Sequence, residues 1–123
     1  MAFTKTTTPT ALAGILVTST SLGSTPSENV TGNSSGKIYQ VKIDNSVNPD
    51  TTLYIKIADA ASASSATTAA NWVFPVRGGQ KVSCIMDTGA AYTAGISMWC
   101  TTRPGTGSQG EPPNAPAVSL LAT

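Results

Sequence analysis

Between Lys37 and Ile57 the chain twice alternates apolar and polar residues, and a stretch of turn chemistry separates the two runs. In Lys37-Ile38-Tyr39-Gln40-Val41-Lys42-Ile43-Asp44, the side chains of Tyr39, Val41 and Ile43 fall on one side, while Gln40, Lys42 and Asp44 fall on the other. Thr52-Leu53-Tyr54-Ile55-Lys56-Ile57 repeats the pattern with Leu53, Ile55 and Ile57. A period of two belongs to the extended chain, whose successive side chains point to opposite faces of a sheet; a helix needs a period of 3.6. The intervening Asn45-Ser46-Val47-Asn48-Pro49-Asp50 combines a residue of fixed φ with side chains that bond their own backbone. The local reading is two half-buried strands joined as an antiparallel hairpin.

The rest of the chain is punctuated in the same way. Gly14 to Thr20 is short and rich in β-branched residues, which suits a strand. Trp72-Val73-Phe74 opens another, which Pro75 confines to a sheet edge or a strand end because proline cannot donate to the ladder. Gly78-Gly79 predicts a tight turn. Lys81 to Met86 follows as a strand with Val82, Cys84 and Met86 on one face, and Asp87-Thr88-Gly89 is expected to turn the chain again. Gly95 to Thr101 places Ile96, Met98 and Cys100 inward and Trp99 on the opposite face with Ser97 and Thr101. Ala117 to Leu121 closes the series. Residues 21 to 36 form a polar connection in which Val30 is expected to make a brief strand. Ala58 to Ala70, almost all Ala, Ser and Thr, has no large apolar stripe to bury as a helix and reads as a surface loop with one short helical turn. Arg103 to Pro113 is loop by composition.

Six to eight short strands with Gly, Pro and Asn turns predict an all-β domain, an antiparallel β-sandwich or jelly-roll-like barrel. Residues 1–13 read as an extended N-terminal arm that orders against a partner or neighbour, and 14–123 as the single sandwich domain. The apolar run Ala11 to Val17 is shorter than a membrane span, and it reads as a strand or anchoring arm rather than a signal peptide.

The chemistry available is narrow. The chain has no histidine, which removes the commonest general base near neutral pH and with it the Ser-His-Asp and Cys-His arrangements. Asp44, Asp50, Asp59 and Asp87 stand in turns or after strands, where aspartate ordinarily caps local backbone. Asp87-Thr88-Gly89 matches the nucleophile triplet of aspartic proteases in three residues only. Cys84 and Cys100 lie within apolar runs, form no metal-ligand spacing, and read as buried thiols, with a cross-strand disulfide as the alternative. No catalytic, metal or cofactor site is expected. A formal charge of +1 offers no electrostatic hold for nucleic acid or an anionic membrane. A binding protein is the expectation.

From Lys37 onward the order of segments, KIYQVKIDNSVNPDTTLYIKIADAA, WVFPVRGGQKVSCIMDTG and YTAGISMWCTT, resembles small virion proteins of tailed bacteriophages over residues 37 to 102. Cys84, Trp99 and Cys100 depart from that pattern, where small or aliphatic residues are usual. The resemblance implies a capsid decoration, or cement, protein on the virion surface. Its partners would be the major capsid protein and further copies of itself, with a trimer favoured. The alternative is a tail fibre, spike or other tail-associated host-binding protein, stacking Tyr92 or Trp99 on sugars. Phe3, Leu12, Ile15, Leu16, Trp72 and Trp99 are the candidate interface residues. Ile15 and Leu16 are equally consistent with a place in the core.

Overall fold

The computed structural model describes residues 3–6, 14–107 and 110–123. Among these there are eight strands and no helix: β1 (Thr4–Thr6), β2 (Ile15–Ser19), β3 (Gly36–Asp44), β4 (Leu53–Asp59), β5 (Trp72–Val76), β6 (Lys81–Tyr92), β7 (Ile96–Thr101) and β8 (Ala117–Ala122). They form a five-stranded sheet of order β1-β2-β8-β3-β6 and a three-stranded sheet of order β5-β4-β7, antiparallel throughout. Val17, Val41, Ile43, Val118 and Leu120 from the larger sheet and Leu53, Ile55, Ile57, Met98 and Cys100 from the smaller one are buried in one core.

The two alternating runs do form strands, but they do not pair with each other. β3 lies between β8 and β6 in the larger sheet, whereas β4 is the centre of the smaller one. The turn between them is therefore a corner between sheets. Its chemistry is specific. Asn45 is fully buried and donates through Nδ2 to the carbonyls of Thr51, at 2.9 Å, Val76, at 3.3 Å, and Arg77, at 3.2 Å. Asn48 donates to Asn45 Oδ1 at 2.9 Å and to the Asn114 carbonyl at 2.8 Å, and accepts from Asn114 N–H at 2.9 Å. This pair ties together three connections: β3 to β4, β5 to β6, and the approach to β8. Gly78 packs there against the Pro49 carbonyl, where a Cβ would clash with backbone.

Apart from the β4–β5 step, the connections from β3 to β8 cross between sheets. The chain after β2 also visits the smaller sheet, since Ser27 pairs with Met98 through reciprocal backbone bonds of 2.8 and 2.9 Å. This alternation is a jelly-roll connectivity. Val30 is not a strand; it sits in a turn and donates its N–H to Ile96 O at 2.8 Å.

Two further expectations change on the larger sheet. Between Ile38 and Gln40 the register with both neighbours shifts, so the inward series is Ile38, Val41 and Ile43, and Tyr39 is only half-buried. A bulge reverses the alternation on one side of itself, and sequence periodicity has no means of placing it. On β6 the irregularity opposite Tyr39 absorbs Met86 to Gly89, so Asp87-Thr88-Gly89 is an interruption within one long strand rather than a turn between two. Gly89, at φ +80°, packs against Lys37 and Tyr39 there.

Of the arm, Thr4–Thr6 is a strand that pairs with β2 of its own domain, Lys5 opposite Val17. Antiparallel pairing lets this short segment extend the sheet without contributing a core side chain; all three residues are exposed. Pro75 lies in β5, the edge of the smaller sheet, as expected.

Candidate interaction surface

The two sheets differ on the faces turned away from the core. On the smaller sheet, Lys56 and Ala58 of β4 and Ser97, Trp99 and Thr101 of β7 point outward and are nevertheless buried. The Ala/Ser/Thr loop and the Arg103–Gly107 stretch lie over them. Ser97 donates to Ala60 O at 2.8 Å, Thr101 to Arg103 O at 2.7 Å, and Lys56 to Gly105 O at 2.5 Å. The Ala/Ser/Thr loop makes its single helical turn at Ser64, whose carbonyl accepts from Thr68 N–H at 2.8 Å. Asp59 fastens the β6–β7 connection by accepting from the N–H groups of Thr93, at 2.9 Å, and Ala94, at 2.8 Å. Burial pushes this carboxyl up, but the backbone donors outweigh it and hold it below the usual carboxylate range.

The larger sheet has no such cover among the described residues. Its register aligns Thr6, Leu16, Leu121, Gln40 and Ile85 in one row across five strands, and Thr4, Thr18, Ser119, Lys42 and Ser83 in the next. Ile85 is 63% exposed, and Leu16 and Leu121 are half-buried. A shallow groove of about 390 Å³ crosses the strand ends, floored by small side chains such as Ala117, Ser119 and Ser83. Thr18, Ser19 and Thr20 join it to a second concavity of about 210 Å³ beside Phe3, which is 38% exposed. At the rim, Lys81 and Asp44 form an ion pair, 3.7 Å apart and solvated. Bonds from Ser46, aided by Lys81, hold the Asp44 carboxyl below its usual range. The face combines apolar and hydroxyl side chains with Lys42, Lys81 and Asp44 toward the groove, an apolar patch with a polar rim as protein contacts have.

The candidate interface residues divide accordingly. Phe3 and Leu16 lie on or beside the open face. Ile15 is buried in the core, and Trp72 packs partly buried against it. Trp99 is 1% exposed and offers nothing to a partner. Leu12 lies outside the described residues. Ile85 and Leu121 were not singled out in the sequence, although the alternation around Cys84 places Ile85 opposite the inward face. Tyr92 is buried too, its hydroxyl donating to Thr123 O at 2.6 Å beside Thr31 Oγ1, so neither aromatic of the sugar-stacking reading has a face to present. Cys84 and Cys100 stand in different sheets and are free thiols; burial pushes the Cys100 thiol up to about 12, which keeps it protonated.

Searches of protein families, curated proteins and solved structures found no match to the chain.

Proposed function

We propose that this protein is a structural component of a bacteriophage virion, a decoration protein that docks the outer face of its five-stranded sheet on the capsid shell. The observation that carries the docking half is the contrast between outer faces: the chain invests two loops in covering one sheet and leaves the other with Ile85, Leu16 and Leu121 in a single row. An apolar row beside the hydroxyls of Thr18, Ser119 and Ser83 and the charges of Lys42, Asp44 and Lys81 is suited to a protein partner, with an apolar centre and a polar rim. The virion half draws on the resemblance over residues 37 to 102, and the jelly-roll connectivity agrees with it as analogy, since capsid and lectin domains share that architecture. Self-association as a trimer, with Phe3 at the boundary between copies, belongs to the same reading.

The test is decoration of heads that lack the protein, imaged by electron microscopy and quantified by co-sedimentation. Ile85→Glu should leave the isolated domain folded and lower occupancy by about tenfold or more, as burying an unpaired charge in a contact does. Undiminished occupancy would overturn the docking face. Virions without the protein should have fragile heads and normal adsorption; sound heads that fail to adsorb would favour the tail-associated host-binding reading.

A further inference from the structure

Lys56 is the anomaly of the covered sheet. It stands at the middle of β4, opposite Val73 on one side and Trp99 on the other, and is 2% exposed. Its ammonium donates one hydrogen bond, to Gly105 O, and no carboxylate among the described residues pairs with it. Buried charges are ordinarily paired or fully hydrogen-bonded, because an ammonium taken from water without compensation costs several kcal/mol. The same burial pulls the Lys56 amine below the usual lysine range.

Beside this lysine the two covering loops leave a cavity of about 120 Å³. The hydroxyl-bearing residues Ser65 and Thr68 line it, and among the described residues no acidic side chain does. Thr68 Oγ1 already accepts from Ser64 N–H at 2.9 Å, so its own proton is left to donate. A cavity with an ammonium, donor hydroxyls and no acid has the chemistry of an anion receptor. At roughly 30 Å³ per water it holds about four water-sized groups, the bulk of a halide with a water or of a small carboxylate.

We infer that the cavity between the Ser64–Ala70 and Arg103–Thr106 loops is a binding site for a small monovalent anion, a halide or short carboxylate, with Lys56 as its counter-charge. A bound anion completes the ion pair that the fold leaves open and pins the two loops over Trp99.

The experiment is thermal unfolding of the full chain with sodium acetate or sodium chloride, at an ionic strength held constant by a sulfonate too bulky for the cavity. The melting temperature should rise saturably, by about 5 °C at ten times the dissociation constant. Lys56→Met should abolish that rise, while Lys42→Met on the opposite sheet keeps it. An equal rise in Lys56→Met, or none in the native chain, would overturn the site and leave it a water-filled gap. Should Lys56→Met not fold, chloride-35 line broadening by the native protein decides the matter. Broadening reversed by acetate supports the site, and its absence overturns it.

Discussion

The two sheets share one core and meet the outside differently. β4 and β7 carry Lys56, Ala58, Ser97, Trp99 and Thr101 outward into a second, thinner layer of contacts made by loops, so that all six residues of β7 are buried. β7 is formally an edge strand, yet Gly23, Ser27 and Val30 meet its free backbone groups through Cys100, Met98 and Ile96. The larger sheet ends in β6, whose Ile85 is the most exposed large hydrophobic residue described. Unpaired edges invite pairing with other chains, and an apolar outer row invites packing. One side of the molecule is finished by its own chain, and among the described residues the other is left open.

The difference can be broken at several points. Trp99→Ala, removing the largest side chain beneath the loops, should destabilise the isolated protein by about 3–5 kcal/mol, read from the denaturant midpoint. A loss under about 1 kcal/mol would mean that the loops cover the sheet without packing on it. Asn45→Ala should cost about 3 kcal/mol, because the Thr51, Val76 and Arg77 carbonyls lose their shared donor at the corner that sets one sheet against the other. Asn45→Asp would put a charge among those carbonyls and is expected to be at least as damaging, whereas a purely local turn would accept it.

Asp59→Asn tests the fastening of the covered side, with an expected loss of about 1–2 kcal/mol at pH 7 in urea unfolding. Because the folded carboxyl is held below its unfolded value of 3.8, its contribution is complete above that value and fades as pH falls through the folded pKa. The native chain and the variant should therefore converge in acid; a gap independent of pH would remove the carboxylate from the explanation. Ile85→Ala should be the smallest effect, within about 0.5 kcal/mol in the isolated chain. A larger cost would show that Ile85 is already packed, and the comparison between the faces would fail.

The legibility of these features follows their range. The strands around Val41, Ile55 and Met98 were readable because burial of one face imposes a period of two on neighbouring residues. The edge position of β5 was readable because Pro75 lacks a donor. The partner of each strand was not readable. Asn45 and Asn48 look like ordinary turn residues, and their role as a buried hub depends on Val76, Arg77 and Asn114, which only the folded chain brings near. The cover over Trp99 was equally hidden, since a loop of Ala, Ser and Thr has no apolar stripe to announce what it packs on. Leu16 is an interface candidate from the sequence, whereas its alignment in one row with Leu121 and Ile85 is visible only with the register.

The sequence by itself determined the all-β class, the placing of most of its strands, and that histidine-based chemistry is absent, because these follow from local sterics and side-chain inventory. The tertiary structure alone decided that Lys37–Asp44 and Leu53–Ile57 lie in opposite sheets, that a bulge exchanges Tyr39 for Ile38, and that one outer face is covered and the other open. Each of these is a pairing between segments far apart in the chain. The free energy that selects it comes from surfaces that do not exist until both partners are in place.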